Sequence, residues 1–468
     1  MNKFLYKSGL AALACAAFLS SCKPEIDAPE ISKGEADFTR YIAVGNSLTA
    51  GFSNGGLYRS GQISSYPNIL AGQFKLAGGG EFTQPLFTEA QANGSGYLKL
   101  TGFTASGTPI ITQVAPGARR NQPPAPPLYT KYLEPINNLG IPNIKIADIN
   151  STSYSGENPY FERISPDNST QTYLERVAAS NPTFFTNWLG NNDVLGYATA
   201  GGMNGTGAIT PEATFRTNYT DLTNALTKNN AKGIVATIPD ITLIPFFTTV
   251  GPTLKATLTA QKVPGMVILT GSGSTKTVLS TSSIKDASGG TVLIPLTASA
   301  YLPLLGQPTA KYWRDLLKSQ NQPAAILPLF MAQYGVTDTT KAFGFSMENP
   351  FPSSLVLDDT EIANVTTATG KFNTIIREVA NAKNLGIFEV NEFFQSIQPV
   401  NGKATLVLNA VNYTPAFITG NLFSLDGIHL TPRGYAIVAN EFIKRINGKY
   451  KASIPTVNET NFDTVLFP

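Results

Sequence analysis

The chain has 468 residues, a net charge of +3 and only 14% charged side chains. That length allows a large core, and that charge argues against a nucleic-acid surface. One histidine and two cysteines cannot build a His-rich or Cys-rich zinc site, and no Gly-x-x-x-x-Gly-Lys-Ser/Thr run is present to cradle phosphates.

In chain order, Lys3 and Lys7 form a basic start, Leu10 to Leu19 is an apolar run, and Ser20-Ser21-Cys22 follows. The run is too short to span a bilayer and suits the core of a signal peptide over residues 1–21. Leu19-Ser20-Ser21-Cys22 resembles a bacterial lipobox, which implies that Cys22 carries the lipid and becomes the first residue of the mature chain. Cys15 lies inside the apolar run, so no disulfide partner for Cys22 survives processing. Residues 22–37 read as a membrane tether, with prolines at 24 and 29. No later run is long and apolar enough to be a transmembrane helix.

A folded body is expected over 38–450, followed by a tail over 451–468. It opens with Tyr41-Ile42-Ala43-Val44, a strand-type run that breaks at Gly45-Asn46-Ser47. A serine just past a strand end, behind a glycine that allows a tight turn, is where α/β proteins place nucleophiles. Alone, Gly-x-Ser is a common turn. Gly51-Phe52-Ser53-Asn54-Gly55 also fits the Gly-x-Ser-x-Gly elbow, but Ser53 lies too far beyond Val44 to occupy the turn that motif needs.

From about residue 55 to 135, the glycine cluster 78–80 and the proline-rich run 123–127 suggest an insertion of long ordered loops. The aromatic run Pro182 to Leu189 ends in Gly190-Asn191-Asn192-Asp193, which puts an asparagine just past a second strand end. Its amide N–H could stabilise an oxyanion without losing a proton to it. Gly233 to Ile238 reads as a buried strand. Residues from about 242 to 352 hold short runs such as Thr291-Val292-Leu293-Ile294 and read as a second, β-rich or mixed insertion. Asp358-Asp359 start a helix that runs through Ile362, Val365, Phe372, Ile375, Ile376 and Val379, and after Gly386 comes the strand Ile387 to Val390.

His429, the only histidine, stands in Asp426-Gly427-Ile428-His429. Gly427 lets the loop curl so that the Asp426 carboxylate meets one ring nitrogen and leaves the other free. Thr431 and Pro432 then open a helix with Tyr435, Val438, Ala439, Phe442, Ile443 and Ile446 on its buried stripe. By itself Asp-x-x-His is nonspecific.

Gly45-Asn46-Ser47-Leu48, Asn138-Leu139-Gly140-Ile141-Pro142-Asn143, Gly190-Asn191-Asn192-Asp193 and Asp426-Gly427-Ile428-His429 resemble, in order, the blocks of the SGNH or GDSL hydrolases. The resemblance covers the blocks and their flanks, about half the chain, and leaves out the insertions. It implies a flavodoxin-like three-layer α/β/α sandwich with a parallel sheet, and alternating strands and helices point the same way. It further implies Ser47 as nucleophile, Asp426 and His429 as its partners, and an oxyanion hole from Ser47, Asn143 and Asn192, with no metal or cofactor. Two positions depart from the family: Asn46 replaces its usual aspartate, and Asn143 its oxyanion glycine.

The expected function is hydrolysis of a carboxylic ester, carried by a lipid, an acylated glycan or a small molecule, at the cell envelope. A lipid would hold the chain at the outer membrane, on the periplasmic or the surface face. The alternative is an envelope lipoprotein that uses the same fold to bind an acylated glycan or a partner protein. Protein purified from membranes should begin at Cys22 and carry the mass of its acyl groups; an unmodified or differently cut N-terminus would contradict the lipobox.

Overall fold

The computed structural model describes residues 30–468 apart from 106, 123–124, 203–206, 272 and 274. The expected signal peptide and Cys22 lie outside the described residues. Five parallel strands make the central sheet: β1 (Tyr41–Gly45), β2 (Asn138–Gly140), β3 (Phe184–Trp188), β4 (Lys232–Ala236) and β5 (Gly386–Phe388). Every residue of β1, β2 and β3 is buried, as befits parallel strands covered on both faces. The strands lie side by side as 2-1-3-4-5, the flavodoxin-like order, whose direction of winding reverses between β1 and β3.

Register fixes what meets at the carboxyl end of the sheet. Gly45 pairs with Gly140 on one side and Trp188 on the other. Ser47, Asn143 and Asn192 therefore follow three neighbouring strand ends by two, three and four residues.

Helices that frame the sheet include α1 (Tyr66–Leu76), α2 (Tyr173–Ala179), α3 (Glu212–Thr227), α4 (Asp359–Ala382) and α5 (Pro432–Tyr450). They fall into two sets. α5 packs on α1, β4 and β5, while α4 packs on α3, β4 and β5, and α3 on α2. That arrangement is compatible with a three-layer α/β/α fold. Asp358 caps α4 and its Glu361 bonds back, a reciprocal box that satisfies two backbone donors. In α5 the Thr431 hydroxyl accepts from Gly434 N–H and Pro432 takes the first turn.

The segment 55–135 departs from the expectation of loops. Its α1 sends Tyr66, Ile69, Leu70 and Phe74 into the main core. Tyr66 stacks on Phe442 of α5, and Phe74 stacks on Phe38. The same segment forms an antiparallel hairpin, Tyr97–Phe103 with Pro109–Val114. Glycine and proline content obscured the i, i+3, i+4, i+8 spacing of those four side chains.

Residues 242–352 carry a core of their own around Leu258, Ile268, Leu269 and Trp313, with helices and the hairpin Gly265–Thr270/Thr275–Ser280. Thr291 to Ile294 forms single bridges to Ile284 and Leu357 instead of a strand. The end of the expected tether is docked: Ser32 pairs with Ser453, and Glu35 N–H donates to the Tyr450 carbonyl. The C-terminal tail is also held, with Val457 and Ile454 N–H donating to Asn440 and Asn447 of α5.

Truncating Phe74 to Ala should cost about 3–5 kcal/mol of stability, the usual range for a buried Phe in a packed layer. A loss under about 1 kcal/mol by denaturant unfolding would contradict the placement of α1 in the core.

Candidate active site

Ser47 opens a single helical turn, Ser47–Ala50, directly behind β1. Asn46 caps that turn, its side-chain oxygen accepting from Leu48 N–H, so asparagine shapes it as an aspartate would. Gly45 is required for closure: a Cβ there would lie 1.9 Å from the Thr49 hydroxyl oxygen. At the other end of the chain Gly427 has φ +69, the left-handed conformation that lets the loop fold back from Asp426 to His429.

These turns bring Ser47, His429 and Asp426 into a hydrogen-bonded row. Nδ1 of His429 lies 2.9 Å from Oδ2 of Asp426, and Nε2 lies 2.8 Å from the Ser47 hydroxyl oxygen. An ionised carboxylate only accepts, so Nδ1 carries the proton in the neutral ring and Nε2 is free to accept from the Ser47 hydroxyl. Ser47 is 7% exposed, and the side chains of His429 and Asp426 are 12% exposed each.

The Asp426 carboxylate is saturated with donors. Oδ1 accepts from the Ser424 hydroxyl and from the N–H groups of Ile428 and His429, while Oδ2 accepts from Gly55 N–H at 2.6 Å and from the imidazole. Burial alone would raise its pKa, but the His429 charge and these bonds outweigh burial and hold it well below the usual carboxylate range.

The rival Ser53 is fully buried and donates to the Leu430 carbonyl, so its hydroxyl is a fastening. Its neighbours do bear on the site, which the sequence reading missed. Gly55 N–H reaches Asp426, Asn54 N–H donates to the Ser424 hydroxyl, and Leu425 N–H donates to the Asn54 side chain. Phe52 lies against the imidazole, with ring centroids 4.6 Å apart. Asn54 and Gly55 both have positive φ, a tight-turn signature that the Asn-Gly dipeptide does announce. Both insertions touch the histidine loop, the first through Gly55 and the second through Phe246, whose N–H donates to the Gly427 carbonyl.

Asn143 is exposed and has φ +70, so it adopts the backbone a glycine would take there. Asparagine tolerates that conformation better than most residues. Among the described residues its N–H has no hydrogen-bond acceptor. One N–H of the Asn192 amide donates to the carbonyl of Ile144, next to Asn143, which leaves the other available. As the first residue of its helical turn, Ser47 has an N–H with no intrahelical acceptor. Three donors thus follow the ends of three neighbouring strands, one of them on Ser47 itself, whose hydroxyl has an acceptor for its proton in His429 Nε2.

Asp193, the residue after Asn192, is fully buried. Its carboxylate accepts from Ile146 N–H and Ala147 N–H and from the Thr210 hydroxyl.

The described residues contain no cluster of three or more His, Cys, Asp or Glu that would hold a metal ion. Comparison with family models, curated proteins and solved structures found no match to this chain.

Burial pushes the Asp193 carboxyl from 3.8 up to about 7, against the bonds that favour its charged form. Between those values the folded chain keeps a proton that the unfolded chain releases, so this group's contribution to stability is fully present below about pH 4 and is lost as pH rises through about 7. Asp193→Asn should flatten that decline in a profile of denaturation midpoint against pH. Profiles of equal slope in the two proteins would contradict the assignment.

Proposed function

We propose that this chain is a serine hydrolase of carboxylic esters, of the SGNH or GDSL type its motifs resemble, held at the cell envelope by a lipid on Cys22. The observation that carries the reading is the row from Asp426 Oδ2 through both nitrogens of the single histidine to the Ser47 hydroxyl, with both gaps under 3 Å.

In this reading His429 Nε2 takes the Ser47 proton as the serine oxygen bonds to the carbonyl carbon of the ester. The carbonyl oxygen gains the negative charge and is held by the N–H groups of Ser47 and Asn143 and the free N–H of Asn192. The imidazolium gives its proton to the leaving alkoxide as the C–O bond breaks, and an acyl-serine remains. Water then adds by the same route: it yields a proton to His429, the acyl–serine bond breaks, and the proton returns to Ser47. Asp426 stays ionised throughout, orients the ring and stabilises the imidazolium. Its many donors suit it to that task, since they favour its charged form.

Hydrolysis of a short-chain chromogenic ester tests the reading against a non-catalytic lipoprotein. Ser47→Ala and His429→Ala should abolish turnover above background, Asp426→Asn should lower kcat by about 10⁴-fold, and Asn192→Ala should lower it by about 10²–10³-fold. Folded variants with wild-type rates would overturn the assignment, and a wild-type protein inert toward ester panels would favour the binding alternative.

A further inference from the structure

The end of the chain that leads to the membrane is bound to the opposite pole of the molecule from Ser47. Glu35 N–H donates to the carbonyl of Tyr450, the last residue of α5, and Ser32 pairs with Ser453 just beyond. His429 stands three residues before the first residue of the same helix. α5 is therefore a ruler between the two: its 19 residues span about 28 Å at ~1.5 Å each.

The pole that holds Glu35 is basic. A cavity of about 430 Å³ opens there, lined by Lys232, Lys383 and Lys449 among polar side chains, with Glu35 its one carboxylate. Glu35 is already bonded to Lys451 and to Lys232. Lys449 Nζ donates to Asn384, and Lys383 has no ion pair among the described residues. Helices α3, α4 and α5 all end at this pole, and their negative carbonyl ends favour lysines there. The ammonium groups of Lys383, Lys449 and Lys451 are nonetheless exposed, so they also face whatever lies beneath.

We infer that this lysine-rich pole rests on the anionic headgroups of the bilayer that anchors Cys22, so that Ser47 opens away from that bilayer. The ester acted on is then one carried outside the anchoring leaflet, on a soluble or polymeric molecule, and not a lipid of that leaflet. The inference rests on the lipidated esterase proposed above and names its substrate class. Residues 22–29 number eight, which reach at most roughly 28 Å when fully extended at ~3.3–3.6 Å each. That length only just spans α5, so turning the catalytic pole onto the same bilayer would need the segment drawn straight along the whole molecule. Basic side chains against anionic lipid favour the opposite pose.

The competing surface is also identifiable. Phe103 and Ile110 on the hairpin, with Leu466 and Phe467 at the C-terminus, are exposed. Their hairpin is rooted on the histidine loop's partner segment through Leu98 N–H to the Asn54 carbonyl. If those side chains entered a bilayer, the catalytic pole would face it.

Full-length lipidated protein in vesicles containing phosphatidylglycerol and a headgroup-bound quencher separates the two. A single dye is placed on Lys228→Cys, just past α3, or on Thr152→Cys, in the loop beyond β2; both positions are exposed. Quenching several-fold stronger at 228 than at 152 is expected, and the reverse order or equal quenching would overturn the orientation. The anchored wild-type protein should hydrolyse a soluble acetylated oligosaccharide or chromogenic ester as fast as detergent-released protein does. It should hydrolyse a phospholipid of its own vesicle at least 10-fold more slowly than the same lipid in micelles, and equal rates would overturn the substrate class. Loss of all ester hydrolysis would refute the esterase reading alone, because the quenching pattern still decides the orientation. An unacylated Cys22 would remove the anchor and this inference with it.

Discussion

Five hydrogen bonds sew residues 52–55 to residues 424–435, and the candidate site depends on that seam. Gly55 N–H meets Asp426, Asn54 N–H meets the Ser424 hydroxyl, Leu425 N–H meets the Asn54 side chain, the Ser53 hydroxyl meets the Leu430 carbonyl, and the Tyr435 hydroxyl meets the Phe52 carbonyl. The partners are some 370 residues apart in sequence. Without the seam the serine and the histidine, which come from opposite ends of the chain, would be related only through the packing of α5 and the Phe246 bond to Gly427. With it, the aspartate is bound from both sides, and the ring it orients is brought within 2.8 Å of the serine oxygen.

The seam is rigid because each side is built into the core. Behind Ser47 lies β1, buried along its length between two parallel neighbours. Behind His429 lies α5, whose Tyr435, Ala436, Val438, Ala439, Phe442, Ile443 and Ile446 are buried. Phe442 meets Tyr66, Trp188 and Phe388, which come from three other elements. A small shift of α5 would disturb all of these contacts at once, and close-packed interiors resist such shifts. The order reversal of the sheet falls between β1 and β3, and Ser47 and Asn192 follow those two strands, the place where open α/β sheets bind ligands.

Much of this was legible in the sequence, for particular reasons. The strands at 41–45, 184–188 and 232–236 show as apolar runs because buried parallel strands do not alternate. The last helix shows because its stripe is regular and its start is capped by Thr431 and Pro432. A single histidine left no ambiguity about which imidazole to consider. What stayed hidden depends on contacts distant in sequence. Nothing local says that Gly55 N–H reaches a carboxylate 371 residues on, nor that Asn143 adopts a glycine's backbone. Helix α1 was masked by the glycines and prolines around it and by Pro67 and Gly72 within it. The second core in 242–352 is assembled from short pieces, and no single window of sequence carries its periodicity.

The most direct measurement is covalent trapping of the nucleophile. A fluorophosphonate reagent bonds to a serine only where the hydroxyl is activated by a neighbouring base, and peptide mass spectrometry then locates the adduct. The account predicts one adduct per chain, on Ser47, lost in Ser47→Ala and reduced to background in His429→Ala. An adduct on Ser53 or another serine, or labelling of Ser47 that persists at the same rate without His429, would contradict it.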